Sequence, residues 1–291
     1  MGIFLILLGQ VVHKGEGMIV RYYGKKYGDG GMFFNAVICL FSAIFFLVTD
    51  KGGLYFPKEL LPYGLLSCLL FAVGFYTMYL ALRIGSYALT MLISSFSSVI
   101  SVIYGIFFLH EPTNVFTVLG VVLVFISIFL MNYRPEKDRG GKPFSWKWLT
   151  AILLCALANG FIGVLKRAQQ LRFDKACDNE FMLISLIGSF LFLTVLGFVK
   201  ERANFARVIK TGFLYGMFAG LCNGANNFLG LLIFLFLPIS ISTPVGAGLG
   251  LIFTFAVSLV IYKEKFTRAQ AFGAFFGALS AILSMIGNML K

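Results

Sequence analysis

The feature that most constrains this chain is a succession of long apolar runs separated by short polar connectors. They fall at about 3–20, 32–49, 61–82, 87–109, 115–132, 148–165, 181–199, 212–236, 240–262 and 268–289. A helix crossing the hydrocarbon layer needs about 20 mostly apolar residues, so 291 residues accommodate roughly ten such spans. The runs are too long, and lack the alternation, for a membrane barrel. The expected fold is therefore an all-α integral membrane protein of about ten transmembrane helices with little outside the bilayer. The second to fifth and seventh to tenth runs are secured by hydropathy. The first is interrupted by the polar stretch His13-Lys14-Gly15-Glu16-Gly17, and the sixth is short.

Composition excludes the soluble alternative. Only 12% of the residues are charged and 59% are hydrophobic, against about 25% charged in a typical soluble domain. So little charge cannot cover a water-facing surface. The net charge of +12 would suggest nucleic acid in a soluble protein. Here the basic residues lie mainly between apolar runs, where they set topology and meet membrane lipid headgroups. No nucleic-acid role is expected. The five cysteines form no CxxC pair and read as small packing residues. No metal site, nucleophile pair or Walker segment is present, so neither a cofactor nor ATP drive is expected. The N-terminal run lacks the basic start and the cleavage site of a signal peptide.

The stretch Arg134–Lys147, with Pro135, Gly140, Gly141 and Pro143 among mixed charges, divides the chain into residues 1–133 and 148–291. The halves carry a weak repeat. Glu111, Gly120 and Ser127 lie 153 positions before Glu264, Gly273 and Ser280, while upstream Gly74 matches Gly224 at an offset of 150. Two halves of five spans have opposite orientation, because five is odd. Inverted repeats of this kind are a signature of secondary transporters.

The segment from Tyr79 to Met131, YLALRIGSYALTMLISSFSSVISVIYGIFFLHEPTNVFTVLGVVLVFISIFLM, resembles the core of an EamA-type module. It has a Tyr- and Ala-rich helix, a Ser-rich helix, a turn ending in Glu and a Gly-containing helix. The resemblance is to the ten-helix drug/metabolite transporter superfamily. It covers 61–132 well and 240–289 moderately, with His110 and Lys263 where the family usually has Gly. It implies an exporter or permease for small metabolites, with a central cavity between two five-helix repeats, in the inner cell membrane.

Ionisable and amide groups inside apolar runs mark cavities by default. In the first run Gln10, Lys14, Gly17 and Arg21 share a helical stripe, and Glu16 points away from it on a regular helix. Two readings stand: the helix unwinds around Glu16 beside a binding cavity, or it ends near residue 13 and leaves Lys14 and Glu16 at the headgroups. In the sixth run Asn159, Gly163, Lys166 and Gln170 share a stripe. Lys166 occupies the repeat position of Glu16, and either pairs with it or snorkels at the helix end. In the eighth, Asn223, Asn226, Asn227 and Gly230 lie at i, i+3, i+4 and i+7, and three amides on an apolar helix need partners inside the bundle. The matching third run offers Tyr76 and Tyr79. These residues form the candidate substrate-binding set, for a polar or zwitterionic solute.

Other features read structurally. Ser94, Ser95, Ser97, Ser98 and Ser101 suit close packing, Pro244 a kink, and Glu111 and Glu264 the N-terminal dipole of the helix that follows each. Gly273 and Gly277 make a small-residue seam for a homodimer or for packing within the bundle. A membrane scaffold and, less well, a membrane enzyme remain the alternatives to a transporter. Basic residues gather on the side of the 134–147 linker, which the positive-inside rule places in the cytoplasm with both termini outside. The resemblance points to cytoplasmic termini instead. A first run that failed to span would leave nine spans with the N-terminus inside.

Overall fold

The computed structural model describes residues 1–28, 30–50, 52–84, 90, 93, 94, 96–111, 114–132, 145–260 and 267–289. The principal helices are α1 (Gly2–Tyr27), α2 (Gly31–Thr49), α3 (Leu61–Ile84), α4 (Ser97–Ile103, continuing as a π-turn over Tyr104–Phe108), α5 (Val115–Asn132), α6 (Trp146–Arg172), α7 (Asp178–Lys200), α8 (Phe213–Phe236), α9 (Ile239–Val260) and α10 (Arg268–Met289). A short helix, Asn204–Arg207, and a π-turn, Val208–Gly212, lead into α8. Among the described residues seven helices are long and apolar enough to cross a membrane, and three shorter ones are apolar. Without water in the hydrocarbon layer every backbone group must bond within its own segment, which is why apolar sequence here becomes helix throughout.

Two expectations change. The first run neither unwinds at Glu16 nor ends near residue 13. It is helical without a break to Tyr27, because opening a turn in an apolar bundle would orphan several peptide groups, and Glu16 finds a partner without it. The sixth run is likewise a long helix reaching Arg172, so Lys166 sits more than a turn inside its end. Both doubtful runs are among the candidate spans. The linker Arg134–Lys147 lies for the most part outside the described residues, as do Ser95, Lys263 and Glu264.

Contacts between neighbours fix how the helices run. Gly2 meets Phe236 and Leu237, and Gly212 meets Tyr23, so α1 and α8 are antiparallel. Asn114 at the start of α5 bonds the Gly287 carbonyl near the end of α10. Met32 at the start of α2 bonds Glu201 just beyond α7. The starts of α1 and α5 and the ends of α6, α8 and α10 thus share one end of the bundle, called here the terminal end. The opposite, linker end carries the start of α6.

The helices pack through small residues. Along α8, Gly216, Gly220 and Gly224 form a ladder against α2. A Cβ at Gly220 would lie 2.6 Å from the Ile38 carbonyl, and one at Gly224 2.7 Å from Phe45 Cβ. Backbones approach this closely only without side chains, and dispersion then holds the pair. The seam of Gly273 and Gly277 is occupied inside the chain. Ser127 of α5 donates to the Gly273 carbonyl, and a Cβ at Gly277 would lie 2.8 Å from Ser127 Oγ and 3.3 Å from the Gly248 carbonyl of α9. Ser101 of the Ser-rich segment packs on α6, its hydroxyl 3.5 Å from the Gly160 carbonyl. Pro244 lies inside α9 without interrupting it.

Glu111 serves a different helix from the one expected. Its carboxylate accepts the N–H groups of Ile239 (3.1 Å) and Ser240 (2.9 Å), and so caps α9 in the other half of the chain. The following helix α5 is capped by Asn114, whose side-chain oxygen accepts from the Thr117 N–H at 3.0 Å. Just before Glu111, His110 has a φ of 49°. That left-handed conformation favours Gly, which accounts for the residue the resemblance leads one to expect there.

Candidate functional site

The polar residues of α1, α2, α6 and α8 meet in one hydrogen-bonded path. Asn223 Nδ2 donates to Glu16 Oε1 at 3.0 Å. Asn227 Nδ2 donates to the backbone and side-chain oxygens of Asn223, both at 2.9 Å. Lys166 Nζ donates to Asn227 Oδ1 at 2.5 Å. Ser42 of α2 closes the cluster, its hydroxyl 2.8 Å from the Gly220 carbonyl and 3.1 Å from Asn223 Oδ1. The helical spacing of Asn223 and Asn227 makes this possible: residues four apart stack on one face, so one amide can accept while the next donates.

Glu16 and Lys166 therefore do not pair directly, and Lys166 does not snorkel. The two asparagines stand between the charges. An amide pair can do this because each amide both donates and accepts, so the negative end receives an N–H and the positive end meets an oxygen. Glu16 Oε2 is buried and accepts no hydrogen bond. His13 Nδ1 lies 3.6 Å from it, on a side chain 53% exposed. Lys166 also lies 5.8 Å from the centre of the Phe71 ring, within cation–π range.

Other expected residues border this path or lie apart from it. Asn226 Oδ1 lies against Gly9 of α1, and Gln10 lies against Gly246 and Gly250 of α9. Gln10, Lys14 and Asn226 form no hydrogen bond to another described residue and are only partly buried. Asn159 is exposed and donates to Cys155 Sγ on its own helix at 3.3 Å. Tyr76 and Tyr79 are elsewhere, near the linker end of α3. Tyr76 Oη accepts from Lys200 Nζ at 2.5 Å, and Tyr79 Oη donates to Glu201 and accepts from Arg83. They are displaced because they lie two-thirds or more of the way along α3, which runs from the terminal end toward the linker end, whereas the asparagines sit near the middle of α8.

Sequence reading did not single out Ser42, one hydroxyl in an apolar run, or Glu201. Glu201 accepts the Met32 N–H at 3.1 Å, in a space that exists because residue 31 is Gly with a φ of 60°. A Cβ there would collide with the Glu201 carboxylate. A groove of about 610 Å³ lies beside Glu201, bordered by Tyr79, Arg83, Lys200, Arg202 and Arg207. Among the described residues no group of acidic, His and Cys side chains could hold a metal.

The fold and its polar core define a multi-pass helical membrane protein. Residues 1–133 match the model of the EamA-like transporter family, so the resemblance read from the Tyr79–Met131 segment holds for the first half of the chain. That family consists of membrane transporters of the drug/metabolite type. An uncharacterized protein of Methanocaldococcus jannaschii is 26% identical over 130 residues, covering 40% of this chain and 91% of its own. A solved crystal structure is similar over 98% of both chains, with a TM-score of 0.71 at 11% identity. At that identity the likeness shows the fold alone.

Proposed function

We propose that the protein is a secondary transporter, a permease or exporter, that moves a small polar metabolite across the inner cell membrane by alternating access between two inverted five-helix repeats. The observation that carries this reading is the path Glu16–Asn223–Asn227–Lys166, which holds a carboxylate and an ammonium group inside an apolar bundle. A scaffold would have no need of it. Leaving a buried polar group unsatisfied costs about 1–3 kcal/mol, and a charge in the membrane costs more.

Binding uses the acceptor and donor capacity that the protein leaves open. Glu16 Oε2 lacks a donor, and the amides of Gln10 and Asn226 and the ammonium of Lys14 lack partners among the described residues. A solute carrying both donors and acceptors, zwitterions included, satisfies these groups as it sheds its water. The halves then rock about the bound solute, so that the site faces one side and then the other.

The repeats are residues 1–133 and 148–291, and contacts reciprocal between the halves support them. Helix α1 packs on α8 and α9, and α6 packs on α3 and α4. Gln10 faces Gly250, while Gly160 faces Ile100, which is the same contact moved by 150 positions with large and small residues exchanged. Ser127 bonds the Gly273 carbonyl, and a Cβ at Gly120 would lie 3.0 Å from the Ser280 carbonyl, the same contact moved by 153. A relative about the length of one half agrees with a half that is a unit in itself.

The test is to screen purified protein for thermal stabilisation by amino acids, nucleosides and organic cations, then measure flux of the stabilising solutes into proteoliposomes. Saturable flux is expected for at least one. Absence of any saturable binding or flux would favour the scaffold reading.

A further inference from the structure

We infer that Arg167 and Gln170, together with Lys166, latch the bundle shut at its terminal end, and that the repeat-equivalent positions Gly17 and Val20 of α1 supply no such latch at the linker end. The inference rests on the transport reading above and names the contact that alternating access must break. Helices α6 and α8 barely touch along their backbones. They are joined by three side chains of α6 reaching over to α8. Lys166 Nζ donates to Asn227 Oδ1 at 2.5 Å, Arg167 Nη1 to the Phe234 carbonyl at 2.9 Å, and Gln170 Nε2 to the Leu231 carbonyl at 3.1 Å. Gln169 and Gln170 also donate to the two carboxylate oxygens of Asp178, at 2.5 and 2.8 Å, so the loop into α7 steadies the same side chains. Phe234 lies in the last turn of α8, where carbonyls have no helical partner.

The contact is built to be broken. Arg167 Nε, Gln169 Oε1 and Gln170 Oε1 are buried and have no hydrogen-bond partner. Opening would give each of them water, which offsets the bonds lost to α8. A contact satisfied on only one side of each fork is thus close to balance between closed and open states, as a gate requires, whereas a structural bridge would gain from being complete.

The other half lacks these groups. The repeat offset of 150 places Glu16, Gly17 and Val20 of α1 where α6 has Lys166, Arg167 and Gln170. It places Thr77, Ala81 and Ile84 of α3 opposite them, where α8 has Asn227, Leu231 and Phe234. Gly17 and Val20 have no side-chain donor to send across. Among the described residues no hydrogen bond joins α1 to α3. The two ends are therefore held differently: α8 is hydrogen-bonded to α6 at the terminal end, whereas at the linker end the hydrogen bonds of α3 run from Tyr76 and Tyr79 to Lys200 and Glu201.

Gly230 is a suitable reporter. It lies on α8 beside Leu231, and a Cβ there meets no atom within 4 Å. In a background without Cys39, Cys68, Cys155, Cys177 and Cys222, Gly230→Cys should react slowly with an impermeant thiol reagent applied from the side where Gly52→Cys reacts. Combining it with Arg167→Met and Gln170→Leu should accelerate labelling from that side about tenfold or more, with little change from the other side. Each single substitution, which disturbs the fold less, should give a smaller acceleration in the same direction. Unchanged labelling in monodisperse single and double variants would overturn the latch. Labelling needs no substrate, so accelerated labelling without solute flux in any variant would retain the latch and remove the transport reading instead.

Discussion

Glu16 and Lys166 are connected without touching. In the proposed repeat they occupy equivalent positions; they form no ion pair and are joined through the side chains of Asn223 and Asn227. A direct buried pair would neutralise both charges and leave neither for a solute. With two amides between them, the carboxylate keeps a free oxygen and the ammonium keeps two further N–H donors.

The Lys166–Asn227 bond should appear in a double-mutant cycle. Asn227→Leu leaves a buried ammonium without its acceptor and should lower stability by about 1.5–3 kcal/mol. Lys166→Met with Asn227→Leu removes both partners and should restore much of that loss. The midpoints of thermal unfolding of the four proteins in detergent check this. Additive losses would mean that the two residues do not interact.

Gly220 should tolerate no large side chain. Gly220→Leu pushes against the Ile38 carbonyl at a site where even a Cβ would be 2.6 Å away, and it displaces the Ser42 hydroxyl from the Gly220 carbonyl. Overpacking of this kind costs about 1–3 kcal/mol. The expected outcome is a lower yield of monodisperse protein and a lower unfolding midpoint. Gly230→Leu, facing open space, should have neither effect.

Removing the Glu111 carboxylate should weaken α9 at its start. Glu111→Ala orphans two N–H groups and should cost about 2 kcal/mol, with Glu111→Gln losing less because one acceptor remains. Thermal unfolding of the two variants gives the order. An unaffected Glu111→Ala protein would mean that the cap at Ile239 and Ser240 carries no weight.

The spans were legible in the sequence because hydropathy averaged over a helix length reports solvent, and the solvent here is lipid. Charge in the middle of a run was misleading for the same reason. An average cannot see that Glu16 is met by Asn223 from a helix some two hundred residues later, so a continuous helix looked like a broken one. The amides at Asn223 and Asn227 were legible as a stripe needing partners, but Ser42 was not, since a lone hydroxyl in an apolar run usually bonds its own backbone. Tyr76 and Tyr79 were placed with the asparagines because repeat matching aligns helices and says nothing of depth. The target of Glu111 escaped reading because a carboxylate beside one helix start is equally able to cap another brought near it by the fold.

The basic residues of the linker end, among them Arg21, Lys25, Lys26, Arg83, Arg202 and Arg207, predict by the positive-inside rule that this end faces the cytoplasm. With this end cytoplasmic, Ala203→Cys in a Cys-free background should resist impermeant maleimide in intact cells and label after permeabilisation, while Gly52→Cys should label directly. Both positions are exposed. The reverse pattern would put the termini in the cytoplasm.

The most direct test of the central claim is flux in proteoliposomes for the solute that best stabilises the protein, compared between the wild type and Asn226→Leu. Asn226 bonds no described residue, so the variant should unfold at the wild-type temperature. It loses one polar contact to the solute, a difference of about 1.4 kcal/mol or roughly tenfold. Saturable wild-type flux falling about tenfold in the folded variant is the expected result. Equal flux in both would remove the amide face from the site, and no wild-type flux for any stabilising solute would contradict the transporter itself.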